Sequence, residues 1–258
     1  MPPLYCWRVA RDTGHRPVIA ASSQAAELLV CPAVVEIQGE STPEFAELRR
    51  VFSENFDKRG ELGASLCVWH KGRKVADLWG GYQDMQKTTA WDEDTINIVF
   101  SSTKGLVAIC FLMLAERGDF AYDDPIAKYW PEFGVGGKES ISIRMLLNHR
   151  SGLIAVDKPI TLDALSNDSE GVAAILAEQT PYWSAGEDQG YHGVTYGLYA
   201  AELFRRIAGQ SLGRFLASEV AEPLEADVHL GLDAEHAHRV GPIVPASTKA
   251  VSYTHLRA

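Results

Sequence analysis

The sequence predicts an α/β (α+β) protein, either one large two-layer domain or an α/β body with an inserted helical lobe. Three stretches carry that expectation. "STPEFAELRRVFSENF", beginning at Ser41, sets Phe45, Leu48, Val51, Phe52 and Phe56 at helical spacing behind a capping Ser or Thr and Glu44. "GASLCVWHKGRKVADLWGG" holds two short β-favouring runs joined at Lys71-Gly72-Arg73, the pattern of an antiparallel hairpin. "LVAICFLMLAERG" is an apolar helix with a basic last turn at Arg117 and a glycine stop at Gly118. A chain of 258 residues can bury a substantial core around such elements.

The remaining elements follow in chain order. Residues 1–33 mix Pro, Arg and Cys without a clear period and are expected to stand outside the fold as an appendage. Asp92 to Thr95 form a polar approach to the apolar helix, and "DDPIAKYWPEF" is a Pro-punctuated loop after it. "SISIRMLLNHRSGL" predicts a short helix around Met145 to Asn148, closed by a Ser151-Gly152 turn. Further helices are expected over Glu170 to Glu178 and over Thr195 to Ala208. No repeat or low-complexity tract appears, and the order helix, hairpin, then mostly helices leaves a sheet that still needs partner strands.

Composition excludes several classes. Hydrophobic content of 46% with 22% charged residues is ordinary globular composition. A net charge of −10 argues against nucleic acid or an anionic membrane as the main partner, since both demand clustered Lys and Arg. Cys6, Cys31, Cys67 and Cys110 have no CxxC or metal-ligand spacing and read as reduced thiols. The run Leu106 to Ala115 falls short of the ~20 apolar residues that span a bilayer and is expected to be a buried core helix. After Arg8, Arg11 and Arg16, "VIAASSQAAELLVC" is broken by Ser, Gln and Glu where a signal peptide keeps an apolar run, so a cytoplasmic location is expected.

The chemistry concentrates in "VFSSTKG", Val99 to Gly105, at the mouth of the apolar helix. One hydroxyl there is explained as a helix cap. A lysine in the first turn is not, because the positive end of the helix dipole repels it. Ser101-x-x-Lys104 supplies a compensating arrangement: residues three apart share a helix face, and a desolvated amine can take the proton of a serine hydroxyl. This is the SxxK nucleophile device, common by chance when taken alone.

Context raises it. "LGASLCVWHKGRKVADLWGGY", "FSSTKG", "DDPIAKYWPEF", "ISIRMLLNHRSGL", "YHGVTYG" and "GQSLGRFLASEVAEPL" occur in the order in which the β-lactamase-like serine hydrolases carry them. The chain resembles in particular the class C β-lactamase-related, EstB-like (family VIII) carboxylesterases, from about Val35 to Pro245. The resemblance implies an antiparallel sheet flanked by helices with a helical lobe, in a domain over residues 34–245. It makes Ser101 the acyl-accepting nucleophile, Lys104 its proton acceptor and Tyr191 a second general acid/base. Ser101's own backbone N–H would face the developing oxyanion. In "YHG", Gly193 stands where an Asn often sits, which favours simple esters over β-lactams. No cofactor or metal is implied, the partner is a small-molecule ester, and the oligomeric state is open. The same residues would serve a β-lactamase or D-alanyl-peptide hydrolase, and a third class is an inactive truncated fragment, a non-catalytic or incomplete member serving, if anything, as a binding module.

Rival residues read differently. Gly209-Gln210-Ser211-Leu212-Gly213 matches GxSxG, but a helix precedes it where that elbow needs a strand, so Ser211 is expected to cap the next helix. By analogy with the resembled family, His149 closes a turn. His192 and Trp183 are candidates for substrate binding, while Trp79 and Trp130 read as core. His229, His236, His238 and His255 lack compact ligand spacing. The resembled family closes its site with a KTG, HxG or WGG motif on a strand near its C-terminus, and no such strand is legible after Tyr191. Residues 246–258, ending in "VSYTHLRA", depart from the family and look like translated sequencing-adapter sequence, so a C-terminally truncated fragment with an incomplete sheet is expected.

Overall fold

The computed structural model describes residues 35–244 together with the backbone of residues 5–8. The described residues divide into two compact units, one of residues 35–98 and 235–244, the other of residues 5–8 and 99–234.

The first unit is a small antiparallel sheet with a helix packed on it. Strands β2 (Ile37–Ser41), β3 (Gly63–His70) and β4 (Arg73–Gly81) lie in the order β2-β4-β3. The expected hairpin is β3–β4, and its turn residues Lys71 (φ 50°) and Gly72 (φ 75°) are both left-handed, the geometry that matches strand twist in a two-residue connection. Helix α1 (Ala46–Arg59) ends at left-handed Gly60 and lays Leu48, Phe52 and Phe56 on the face formed by Ile37, Ala64, Leu66, Val68, Ala76 and Leu78. β2 is the partner strand that the sequence left unassigned. Its Gly39, at φ 82°, lets the strand close on β4, since a Cβ there would fall 2.0 Å from the Asp77 carbonyl oxygen. Arg49 of α1 donates to the carbonyls of Ile37 and Gly39, tying helix to strand.

The second unit is helical: α2 (Thr103–Arg117), α3 (Ile143–Leu147), α4 (Leu162–Asn167), α5 (Ser169–Glu178), α6 (Thr195–Ala208) and α7 (Leu212–Leu216). α2 buries Val107, Cys110, Phe111 and Leu114, and α6 buries Tyr196, Tyr199, Ala200 and Leu203, each at helical spacing on one face. Phe111 and Phe204 meet edge to face at 5.3 Å, and Phe204 does the same with Phe215 of α7 at 5.1 Å. α2 and α6 each end at a left-handed glycine, Gly118 and Gly209. α2 departs from the buried core helix expected of it: Ile109 is 44% and Leu112 50% exposed. An all-apolar helix marks both faces as wanting cover, and the structure covers one.

A two-stranded sheet completes this unit. β1 (Tyr5–Arg8) runs antiparallel to β5 (Asp227–Leu230), with Tyr5 opposite Leu230 and Arg8 opposite Asp227. β5 is a strand after Tyr191 that the sequence did not reveal, and it is separate from the three-stranded sheet. Of the segment expected as an appendage, only Tyr5–Arg8 falls among the described residues, as do none of residues 246–258 or His255.

Candidate active site

Ser101 lies in a tight 3-10 turn, Phe100–Ser102, that leads into α2. Phe100 has φ 44°, a left-handed backbone that a bulky residue rarely adopts and that costs on the order of 1–3 kcal/mol. Ser102, at the cap position of α2, already has helical angles (φ −60°, ψ −24°), and no side chain caps either the turn or the helix. A capping oxygen needs an extended residue to turn back on the first amides, so the hydroxyls of "SST" are not used that way.

Ser101 Oγ points to two other groups. Lys104 Nζ, one helical turn on, lies 3.2 Å away, and Tyr191 Oη lies 2.6 Å away. Lys104 Nζ also reaches Tyr191 Oη at 3.0 Å and the Gly193 carbonyl oxygen at 3.0 Å. As an ammonium it has three N–H groups, and three oxygens receive them. That is the compensation a cation at a helix mouth requires. Its charge further lies over the rings of Tyr191, 4.8 Å to centroid, and Tyr196, 5.4 Å. Hydrogen bonding to Ser101, then to Lys104, with the lysine charge adding to both, holds Tyr191 below the ordinary tyrosine value. Tyr196, buried under the site, is pushed up to about 12 by burial.

Tyr191 comes from a loop between α5 and α6, and that loop is laced to the "NHRSG" segment after α3. Gly186 N–H donates to Arg150 O at 2.8 Å, and Tyr182 N–H to Gly152 O at 2.9 Å. Gln189 Nε2 donates to Asn148 O at 3.1 Å, and Arg150 donates to Gly186 O. Gly190 N–H reaches His149 O at 3.1 Å, and His192 N–H reaches His149 Nδ1 at 3.1 Å. Gly152, at φ 78°, allows the close approach, because a Cβ there would sit 2.6 Å from the Trp183 carbonyl oxygen.

Among the residues expected in the site, the structure brings Ser101, Lys104 and Tyr191 together. It does not bring His192 to them: the ring is fully buried, with Nε2 2.8 Å from Ser151 Oγ and Nδ1 2.6 Å from Gly190 O. Trp183 is half-buried beneath the Tyr191 loop, where a Cβ on Gly190 would meet its indole at 2.5 Å. Ser211 caps α7, accepting from Arg214 N–H at 3.3 Å. The role of the Gly193 carbonyl as an acceptor for Lys104, and the lacing by "NHRSG", were not legible in the sequence. Their signal was a dense set of turn residues with no hydrophobic period. Among the described residues no group of three or more His, Cys, Asp or Glu side chains could hold a metal ion.

The fold that brings Ser101, Lys104 and Tyr191 together is shared with known proteins. The family model described as Beta-lactamase matches residues 48–251, and the chain belongs to that family. It is 34% identical over 208 residues to the esterase/beta-lactamase LipL of Mycobacterium tuberculosis, a match covering 80% of this chain and 48% of that protein. The crystal structure of a family VIII carboxylesterase superposes with a TM-score of 0.78 at 37% identity, over 82% of this chain and 58% of that one. A penicillin-binding protein homologue from Caulobacter crescentus gives a TM-score of 0.77 at 35% identity, over 82% and 57%. The chain thus spans about half the length of these relatives. Among the described residues no helix is long and apolar enough to cross a membrane.

Proposed function

We propose that the chain carries the nucleophile and proton-transfer groups of a serine hydrolase that cleaves carboxylic esters through an acyl-enzyme. The observation behind this reading is the convergence of Ser101 Oγ, Lys104 Nζ and Tyr191 Oη within 3.2 Å of one another. Lys104 and Tyr191 act as one proton-sharing pair, with the tyrosine oxygen the nearer to Ser101. The 2.6 Å between Tyr191 Oη and Ser101 Oγ is a direct path for the proton. As the Ser101 proton passes to the pair, Oγ bonds to the ester carbonyl carbon. Collapse of the adduct breaks the bond to the leaving alcohol, whose oxygen takes the proton back. Water then repeats the sequence on the acylated serine, releasing the carboxylic acid and restoring Ser101. The backbone N–H of Ser101 supplies one oxyanion donor in this scheme.

A small ester is favoured over a β-lactam because Gly193 offers only a backbone carbonyl where the family often carries an amide side chain, and Lys104 already engages that carbonyl. The esterase/beta-lactamase LipL is named for both activities, so the test includes both. The purified chain is incubated with a p-nitrophenyl ester, a chromogenic cephalosporin and a fluorophosphonate probe. The expected result is phosphonylation of Ser101 and turnover of the ester in preference to the cephalosporin. Labelling of another serine, or cephalosporin turnover exceeding that of the ester, overturns the reading.

A further inference from the structure

His149 is the residue through which the Tyr191 loop is held. It stands at φ 66°, a left-handed conformation that a non-glycine side chain adopts only when its surroundings dictate it. Its carbonyl oxygen accepts Gly190 N–H and its Nδ1 accepts His192 N–H, so the peptide is clamped on both sides of Tyr191 by one residue. Its ring also packs on Tyr191 itself, with centroids 5.1 Å apart, and on Tyr196 and His192, each at 5.2 Å. Tyr191 needs such a clamp, because the residue is 60% exposed and, among the described residues, its hydroxyl bonds to the two groups it serves, Ser101 and Lys104.

We infer that His149 is a positioning residue: in its neutral form, with the proton on Nε2, it fixes Tyr191 at reacting distance from Ser101 and Lys104. This rests on the reading of Tyr191 as a proton carrier. The tautomer follows from the network, since Nδ1 can accept the His192 N–H only as a bare nitrogen. A proton on Nδ1 would set two donors against each other and open the clamp. The titratable groups facing the ring are Lys104 from α2, Tyr191 and His192 from the loop, and Tyr196 from α6. Burial, then the Lys104 charge, hold His149 below the ordinary histidine value, so the clamp persists into the acid range.

The experiment measures the rate of Ser101 phosphonylation by a fluorophosphonate probe in the full chain. His149→Phe keeps a ring and deletes the acceptor, whereas His149→Asn keeps an acceptor near Nδ1 and tolerates the left-handed backbone. His149→Phe should slow labelling about 10²-fold, the usual effect of misplacing a reacting group by about 1 Å. His149→Asn should restore most of the rate. In a Tyr191→Phe background His149→Phe should add nothing, which a merely structural role would not produce. Wild-type labelling by His149→Phe, or additive losses in the double variant, overturns the inference. Wild-type labelling by Tyr191→Phe alone would instead remove the proposed role of Tyr191. If His149→Phe fails to fold, the acid limb decides. The wild-type rate should fall more steeply with acid than that of His149→Asn, and superimposable limbs overturn the inference.

Discussion

The mouths of α7 and α2 each carry a serine, and they use it in opposite ways. At α7, Ser211 is extended (φ −68°, ψ 149°), and its hydroxyl turns back to accept the Arg214 N–H. Ser142 and Thr161 do the same at α3 and α4. At α2 the backbone is already helical at Ser102, and the Ser101 hydroxyl turns outward to Lys104 and Tyr191. Backbone angle thus separates a cap from the serine proposed as nucleophile more sharply than residue type or motif does. GxSxG around Ser211 is a family signature by its letters and a cap by its geometry.

Substitutions at the two mouths should cross. Ser101→Ala should abolish ester hydrolysis, by more than about 10⁴-fold, as removal of a nucleophile does. Because Ser101 caps nothing, its thermal melting should stay unchanged. A lowered melting temperature would mean that the hydroxyl also supports the fold. Next in size, Tyr191→Phe and Lys104→Arg should each lower kcat about 10²–10⁴-fold, since one deletes the proton carrier and the other installs a guanidinium that stays protonated. The wild-type profile carries the sign. A tyrosine held below its ordinary value of 10.0 gains its base form, and the enzyme its rate, as pH rises through that lowered value. An acid limb at or above the ordinary value would separate Tyr191 from the rate. Smallest of the set, Ser211→Ala should leave turnover intact and cost about 1 kcal/mol of stability, read by denaturant titration. A large loss of turnover without unfolding would erase the distinction between the two mouths.

The parts legible in the sequence were those encoded locally. The β3–β4 hairpin announces itself by a Lys-Gly turn between β-favouring runs, and α6 by buried residues spaced along one face. Ser101 and Lys104 were legible for the same reason, since one helical turn sets their meeting. β2 and β5 were not, because each is a strand of five residues or fewer whose existence depends on a partner far along the chain. The role of "NHRSG" was hidden likewise: its hydrogen bonds cross to a loop about 40 residues later, and nothing local foretells their direction. The α2 pattern misled on burial because apolar periodicity states a demand for cover rather than its supply.

The span of the site along the chain has a consequence for how it comes into being. Ser101 and Lys104 are three residues apart, while Tyr191 lies 90 residues from Ser101. The first pair exists as soon as one turn of α2 forms, on the timescale of helix growth. The third group arrives only after a long loop closes, an entropy that must be spent before the contact repays it. During refolding, helical signal should therefore return ahead of reactivity toward the fluorophosphonate. The interval between them times the closure of the helical unit, making the reactive serine a clock for the last step of its own assembly.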